Sequence, residues 1–208
     1  IALLSNSDAH SLVNLGREAN VFDLNDFSFD NLVKAIKEKN NKKFLYTIEF
    51  FPEEGKYHID GHANCNYSCL PIESKKNKNL CPYCGKSLIL GVLNRVEELS
   101  DRKNIDEKNF ISFKSIIPLQ EIISDYLQVG KNSKKVQNLY LQSVKQYPEF
   151  EILIDLDQQQ LKTVMDEELA ELIMKVRVGE VEIKPGYDGI FGQIKIKVKN
   201  KPEQIKII

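Results

Sequence analysis

The chain has no tryptophan, only three histidines, and no cysteine outside the stretch from Cys65 to Cys84. Cysteines confined to one stretch rule out a disulfide framework spread through a secreted fold. No apolar run approaches the roughly 18 residues that a membrane helix needs. Nor do the first residues form the charged, apolar and small-residue sequence of a secretory leader. Both absences point to a cytoplasmic protein with no membrane partner. An excess of charge is also missing, since 29 basic and 30 acidic residues leave a formal net charge of −1. Any nucleic-acid surface must therefore come from local clustering. An initiating methionine is lacking too. The chain opens on Ile1 inside an apolar run, IALL, and a fold should not begin with its strand already running. The sequence reads as the C-terminal part of a longer chain.

What is present is ordinary globular composition, and 208 residues suffice for one large domain or two to three small ones. IALL (1–4) reads as a parallel strand buried on both faces. Phe29, Leu32, Val33 and Ile36 recur at helical spacing behind Ser28 as N-cap. FLYTIEFF (44–51) is expected to be a strand ended by Pro52, residues 61–90 to be irregular, and VLNRVEELSDR (92–102) to be a strand or loop leading into a short helical turn. Helices are expected from Pro118 to Gly130 and over Val136–Val144. FEILIDL (150–156) alternates like a strand, and one helix carries Leu161 through Val176 to Gly179. VEI (181–183) and QIKIKVK (193–199) form a closing hairpin.

The firmest chemical signal is Cys65-x3-Cys69 followed, after eleven residues, by Cys81-x2-Cys84. Four thiolates are what a tetrahedral Zn²⁺ takes, and a full set leaves no open position for water, so the expected zinc is structural. CPYCGK has the knuckle form, in which a glycine just after the second cysteine permits a tight turn that brings backbone amides to the sulfurs. His62 is available to replace a cysteine, though the set is complete without it.

SNSDAHS (5–11) offers a second metal motif. Asp8 and His10 lie two apart behind an apolar run and point to one side of an extended chain. Parallel barrels carry their chemistry at the C-terminal ends of their strands. The plain alternative is an Asp capping a turn beside a backbone-bonded His. HIDGH (58–62) likewise sets His58, Asp60 and His62 on one side of an extended segment, either for a metal or for packing beside an Asp-Gly turn.

Taken in order, SNSDAHS, SLVNLGREANVFD, TIEFFPEEGKYHIDGH, the cysteine pairs, RVEELSDR and PGYDGIFG resemble the C-terminal part of the endonuclease Q family, across almost all 208 residues. That family consists of DNA-repair nucleases built on a PHP (polymerase and histidinol phosphatase) domain. The resemblance implies an α/β fold: the end of a distorted PHP-type β/α barrel over residues 1–56, a four-cysteine zinc-binding module over 57–104, a helical domain over 105–178 and a C-terminal β-hairpin over 179–208. It implies that Asp8 and His10 are the last D-x-H pair of a catalytic metal site holding Zn²⁺, Mn²⁺ or Mg²⁺. The other ligands, an H-x-H among them, belong to an N-terminal PHP segment that is not in this chain. The implied activity of the intact protein is hydrolysis of the phosphodiester 5′ to deaminated bases or abasic sites. The chain alone is then expected to bind damaged DNA without cutting it.

Other stretches offer DNA contacts with a bland reading beside each. Arg17 either meets a phosphate or pairs with Glu18. PGYDGIFG is either a tight turn or a loop presenting Tyr187 or Phe191 to the bases. Lys195, Lys197 and Lys199 alternate along the last strand, as a solvated face or a basic stripe. Lys134 and Lys135, in KNSKK (131–135), sit in an interhelical loop suited to phosphate or simply to solvent. Two competing functions remain: a non-catalytic zinc-containing nucleic-acid-binding module, and a PHP phosphoesterase acting on small phosphate esters.

Overall fold

A computed structural model describes residues 2–101 and 110–196, and the chain divides into two compact units. The first takes residues 1–116 with 183–194, the second residues 117–182 with 195–208.

The first unit is built on a three-stranded sheet in which β2 (Phe44–Glu49) lies between β1 (Ala19–Phe22) and β5 (Ser112–Ser115). β2 runs antiparallel to β1 and parallel to β5. Helix α1 (Phe29–Glu38) joins β1 to β2 and starts where the Ser28 side chain accepts from the Asn31 N–H. It buries Ala35 completely, while Phe29, at its first position, is exposed. Phe22 stacks on the buried Phe44 at 4.5 Å between ring centroids.

The strand expected at residues 1–4 is absent from its described part, residues 2–4. Residues 2–9 have no regular structure, and Leu3 and Leu4 are exposed. A strand needs a ladder to a neighbour, and none of the described strands pairs with this segment. The Asn20 side chain supplies local bonds instead. Its carbonyl oxygen accepts from the Ser5 N–H at 3.0 Å, and its amide donates to the Ser5 carbonyl at 2.7 Å.

The 60–99 region is more ordered than expected. It holds a short antiparallel pair, β3 (Asp60–His62) and β4 (Tyr67–Cys69), then α2 (Pro71–Lys76) and α3 (Val92–Leu99). The 92–99 stretch is a helix because Gly91 lies against the backbone of His58 and Ile59 and donates to Asp60 Oδ1 at 2.7 Å. Asp60 is fully buried, and its Oδ2 accepts from Asn94 Nδ2 at 2.7 Å and from the Ser74 hydroxyl. One carboxylate thus ties β3, α2 and α3. Asp60→Ala would strip partners from three buried donors, and the expected loss is about 3 kcal/mol or more. Urea denaturation followed by circular dichroism checks this, and a loss below about 1 kcal/mol would show that the network is dispensable.

The first unit also receives the inner part of a hairpin formed by β6 (Val181–Lys184) and β7 (Gln193–Ile196). The last strand is described only to Ile196, so Lys197 and Lys199 lie outside the described residues.

The second unit is helical: α4 (Leu119–Leu127), α5 (Lys134–Val144), α6 (Gln158–Val164) and α7 (Glu167–Arg177). Leu119, Ile122, Val136, Leu161, Leu169 and Ile173 form its most deeply buried layer. Two expectations are corrected here. The helix expected from 161 to 179 is split, because Met165 is extended and Asp166 starts a new helix by accepting from the Leu169 N–H. FEILIDL is not a strand either; Glu151–Asp155 forms a π-helical turn. Ile152, Leu153 and Leu156 are buried, a helical rather than an alternating set. The Arg177 guanidinium donates to the carbonyls of Ile152, Leu153 and Leu156, at 2.7, 2.8 and 2.5 Å.

Candidate metal centre

Four donors converge in the first unit: His62, Cys65, Cys81 and Cys84, all within 4.8 Å of one another. His62 closes β3, and a single 3-10 turn, Ala63–Cys65, carries the chain to Cys65. Asn66 follows in the left-handed region, with φ of +49°. The second half repeats the plan. Gly85 follows Cys84 with φ of +72° and donates to the Cys81 carbonyl at 2.8 Å, while Cys81 donates to the Lys86 carbonyl at 2.7 Å. Both turns need a residue tolerant of positive φ, and glycine and asparagine are the usual choices.

This geometry corrects the expected ligand set. Cys69 is replaced by His62. On β4, Cys69 pairs with Asp60, two residues back along β3 from His62. Its buried thiol packs with Cys81 and Leu88 instead. Burial pushes the Cys69 thiol up, with the Tyr67 hydroxyl opposing, as befits an inert core cysteine. A signal was present in the sequence. His62-x2-Cys65-Asn has the spacing and the following residue of Cys81-x2-Cys84-Gly, whereas Cys65-x3-Cys69 has neither.

The donors fit a tetrahedral ion. His62 Nδ1 lies 3.5 Å from Cys84 Sγ, against an edge of about 3.6 Å for one nitrogen and one sulfur on a shared Zn²⁺. Burial works against an ionised Cys81, but the Tyr83 and Cys84 backbone N–H groups, with the Cys84 and His62 side chains, bring its thiol down to about 7. The knuckle amides therefore do what the glycine turn predicts. Cys65 is pushed up to about 11, first by its hydrogen bond with Cys84, then by burial and by Cys81. Such crowding of thiols is relieved by a cation, and the cluster is able to hold a metal ion. Metal binding requires the thiols to release protons. The Cys81 thiol, brought down to about 7, gives up its proton more readily than Cys65, and because protons compete with the metal for the thiolates, occupancy is expected to fall as pH drops from about 7 to about 5. A metal-release titration with a chromogenic chelator checks this; constant occupancy over that range would contradict it.

The remaining site candidates are dispersed. Asp8 and His10 are both exposed, with Asp8 in the left-handed region at φ of +44°. His10 Nδ1 lies 2.8 Å from the Asp8 carbonyl. Of the HIDGH trio, only His62 reaches the cluster; Asp60 is buried in its own network, and the backbone of His58 bonds the Gly55 and Gly186 carbonyls. Arg17 lies over the Phe50 ring at 5.5 Å from its centroid. Lys134 and Lys135 are exposed in the first turn of α5, and Lys195 is exposed on β7 with Ile196 buried beside it. Tyr187 is half-buried against Gly61, and Phe191 is exposed.

Fold and cluster together define an α/β protein with a small His/Cys3 cluster able to hold a metal ion, and a helical unit. Comparison with known proteins narrows the class. Residues 1–41 match the PHP-associated family and residues 118–180 the MJ0043 C-terminal domain. The chain is 37% identical over 95% of its length to the uncharacterized protein MJ0043 of Methanocaldococcus jannaschii, and 30% identical over 92% to the uncharacterized protein YqxK of Bacillus subtilis. It spans 26% of the first relative and 46% of the second. The crystal structure of the lesion-specific endonuclease PfuEndoQ from Pyrococcus furiosus matches all of this chain over 53% of its own, with a TM-score of 0.84 and 33% identity. A crystal structure of endonuclease Q, complexed with a 27-mer duplex substrate carrying an abasic lesion at the active site, matches 99% of this chain over 53% of its own, at 0.76 and 32%. Over its whole length the chain is therefore similar to endonuclease Q, and its first 41 residues match a PHP-associated family.

Proposed function

We propose that this chain is the C-terminal part of a metal-dependent DNA-repair endonuclease that hydrolyses the phosphodiester 5′ to abasic sites and deaminated bases. The observation that carries the reading is whole-chain likeness, in sequence and fold, to a lesion-specific endonuclease. Asp8 and His10 are then two ligands of the catalytic metal site at the end of the PHP barrel. A carbonyl oxygen only accepts, so His10 Nδ1 carries the proton in its bond to Asp8. In the neutral ring this leaves the Nε2 lone pair free, the usual tautomer arrangement of a metal-binding histidine. The left-handed Asp8 backbone supports the same reading, since such strain gathers at functional sites. Two donors do not complete a site, and the remaining ligands belong to the N-terminal PHP segment of the full-length protein. Divalent ions in such a site lower the pKa of a bound water and stabilise the attacking and leaving oxygens. The His62–Cys84 module holds a structural Zn²⁺, since three soft thiolates and one imidazole suit that ion and leave no open position. Arg17, Lys134, Lys135 and Lys195 are the proposed phosphate contacts.

The test is a nicking assay on end-labelled duplexes carrying one abasic site, deoxyuridine or deoxyinosine. The full-length protein should cut 5′ of the lesion, its Asp8→Ala variant should lose at least about a hundredfold in rate, and this chain alone should bind without cutting. A full-length protein that binds but never cuts with Mg²⁺, Mn²⁺ or Zn²⁺ would leave a non-catalytic binding module.

A further inference from the structure

The loop Pro185–Gly192 is fastened along its length to the first unit. Gly186 accepts from the N–H groups of His58 and Ile59, each at 3.1 Å, and donates to the Glu53 carbonyl at 2.8 Å. Gly189 donates to the Lys56 carbonyl at 3.0 Å and Gly192 to that of Glu54 at 3.1 Å. Tyr187 and Ile190 exchange backbone bonds of 3.0 and 2.8 Å, closing the turn. A Cβ on Gly192 would overlap the Glu53 carbonyl, so only bare backbone fits there. Two side chains anchor the loop to the metal module: Asp188 accepts from the Ala63 N–H at 2.6 Å, and the Tyr187 hydroxyl donates to Asn66 Oδ1 at 2.9 Å. Ala63 directly follows His62, and Asn66 directly follows Cys65.

On this fixed platform Phe191 is 66% exposed, with the Lys56 ammonium 4.5 Å from its ring centroid. Tyr57 and Ile190 are exposed as well. Most of the Phe191 ring therefore contributes little to the packing of the chain, yet the backbone on either side of it is held by hydrogen bonds and close contacts. That combination is what a wedge requires. Separating stacked bases costs a few kcal/mol per step, and a compliant loop would give way before the bases did.

We propose that Phe191 is a rigid wedge that inserts beside a lesion in duplex DNA, with Lys56 placed for the flanking phosphate; this rests on the DNA-repair reading above. Apolar wedges of this kind unstack a base step and bend the duplex. Insertion is cheapest where the stack is already weakened, as at a damaged or missing base. The metal module then has a mechanical purpose: through Ala63 and Asn66 it braces the loop that holds the ring.

The experiment measures binding of this chain to a duplex in which 2-aminopurine neighbours an abasic site, reading affinity by anisotropy and unstacking by 2-aminopurine fluorescence. The wild-type chain should raise the fluorescence on binding. Phe191→Ala should bind the lesion duplex about tenfold more weakly, as expected for a lost base–aromatic contact, and should give no rise. Phe191→Leu, still an apolar wedge, should keep most of both signals. Asp188→Ala keeps the ring but frees the loop, and should lose much of the fluorescence rise. Metal content should be unchanged in Phe191→Ala, which shows that the variant is folded. Equal affinity and equal fluorescence for Phe191→Ala would overturn the wedge while leaving DNA binding intact. A wild-type chain that binds no DNA would overturn the DNA-repair reading together with it.

Discussion

Cys69→Ala is expected to leave the metal content of the chain unchanged, at one ion per molecule, whereas His62→Ala is expected to abolish stable occupancy. The two substitutions separate the ligand sets directly, because the four-cysteine set predicts the reverse. Structural zinc in small modules contributes on the order of 10–16 kcal/mol of binding free energy, most of which is also folding free energy. Loss of one ligand should therefore lower affinity by at least about a hundredfold and leave β3, the following turn and the 81–86 knuckle without their common tie. Cys69→Ala removes only one small buried side chain, with an expected cost of about 1 kcal/mol. Metal analysis of the purified variants gives the stoichiometry. Cobalt substitution gives the donors, since three sulfurs with one nitrogen produce a different ligand-field spectrum from four sulfurs. A Cys69→Ala chain without metal, beside a fully loaded His62→Ala chain, would restore the four-cysteine set.

Arg177→Ala is expected to be the most damaging single change in the helical unit. Its guanidinium donates to the Ile152, Leu153 and Leu156 carbonyls around the π-helical turn. Burial pushes the Arg177 pKa down, with the Asp155 carboxylate opposing that shift. Alanine would leave three carbonyls without their charged donor, each worth roughly 1–3 kcal/mol when buried. The expected loss is about 3–5 kcal/mol, a large part of the 5–15 kcal/mol by which domains are ordinarily stable. Arg177→Lys should recover only part of it, because an ammonium lacks the planar fork that spans separate acceptors. Urea denaturation of the two variants checks this. A loss below about 1 kcal/mol for Arg177→Ala would mean that water satisfies those carbonyls equally well.

Several features were legible from short stretches alone. The Ser28 start of α1, the strand at 44–49, the helices over 119–127 and 134–144 and the closing hairpin all rest on caps, apolar spacing and turn residues within a few positions of each other. The CPYCGK knuckle was equally local, because one left-handed glycine and two amides define it. The resemblance carried by the ordered motifs led to the endonuclease Q-like family, which comparison supports over the whole chain.

Other features were settled by partners distant in sequence. FEILIDL has the alternation of a strand, yet it winds into a π-helical turn because Arg177, more than twenty residues on, takes its carbonyls. IALL has the composition of a buried strand but no paired neighbour among the described residues, and a strand without a ladder does not form. Cys69 and His62 compete for one place in the cluster, and the β3–β4 register decides between them by setting Cys69 opposite Asp60. Phe191 and Tyr187 sit in the same loop, and only Gly61 and Asn66, over a hundred residues away in the chain, settle that Tyr187 anchors while Phe191 projects. The sequence by itself therefore determined the donor types and the turns, because those depend on chemistry within a few residues, and the family resemblance, which rests on the order of its motifs. Tertiary structure alone decided which donors meet and which aromatic is free, because register and long-range hydrogen bonds are properties of the folded chain.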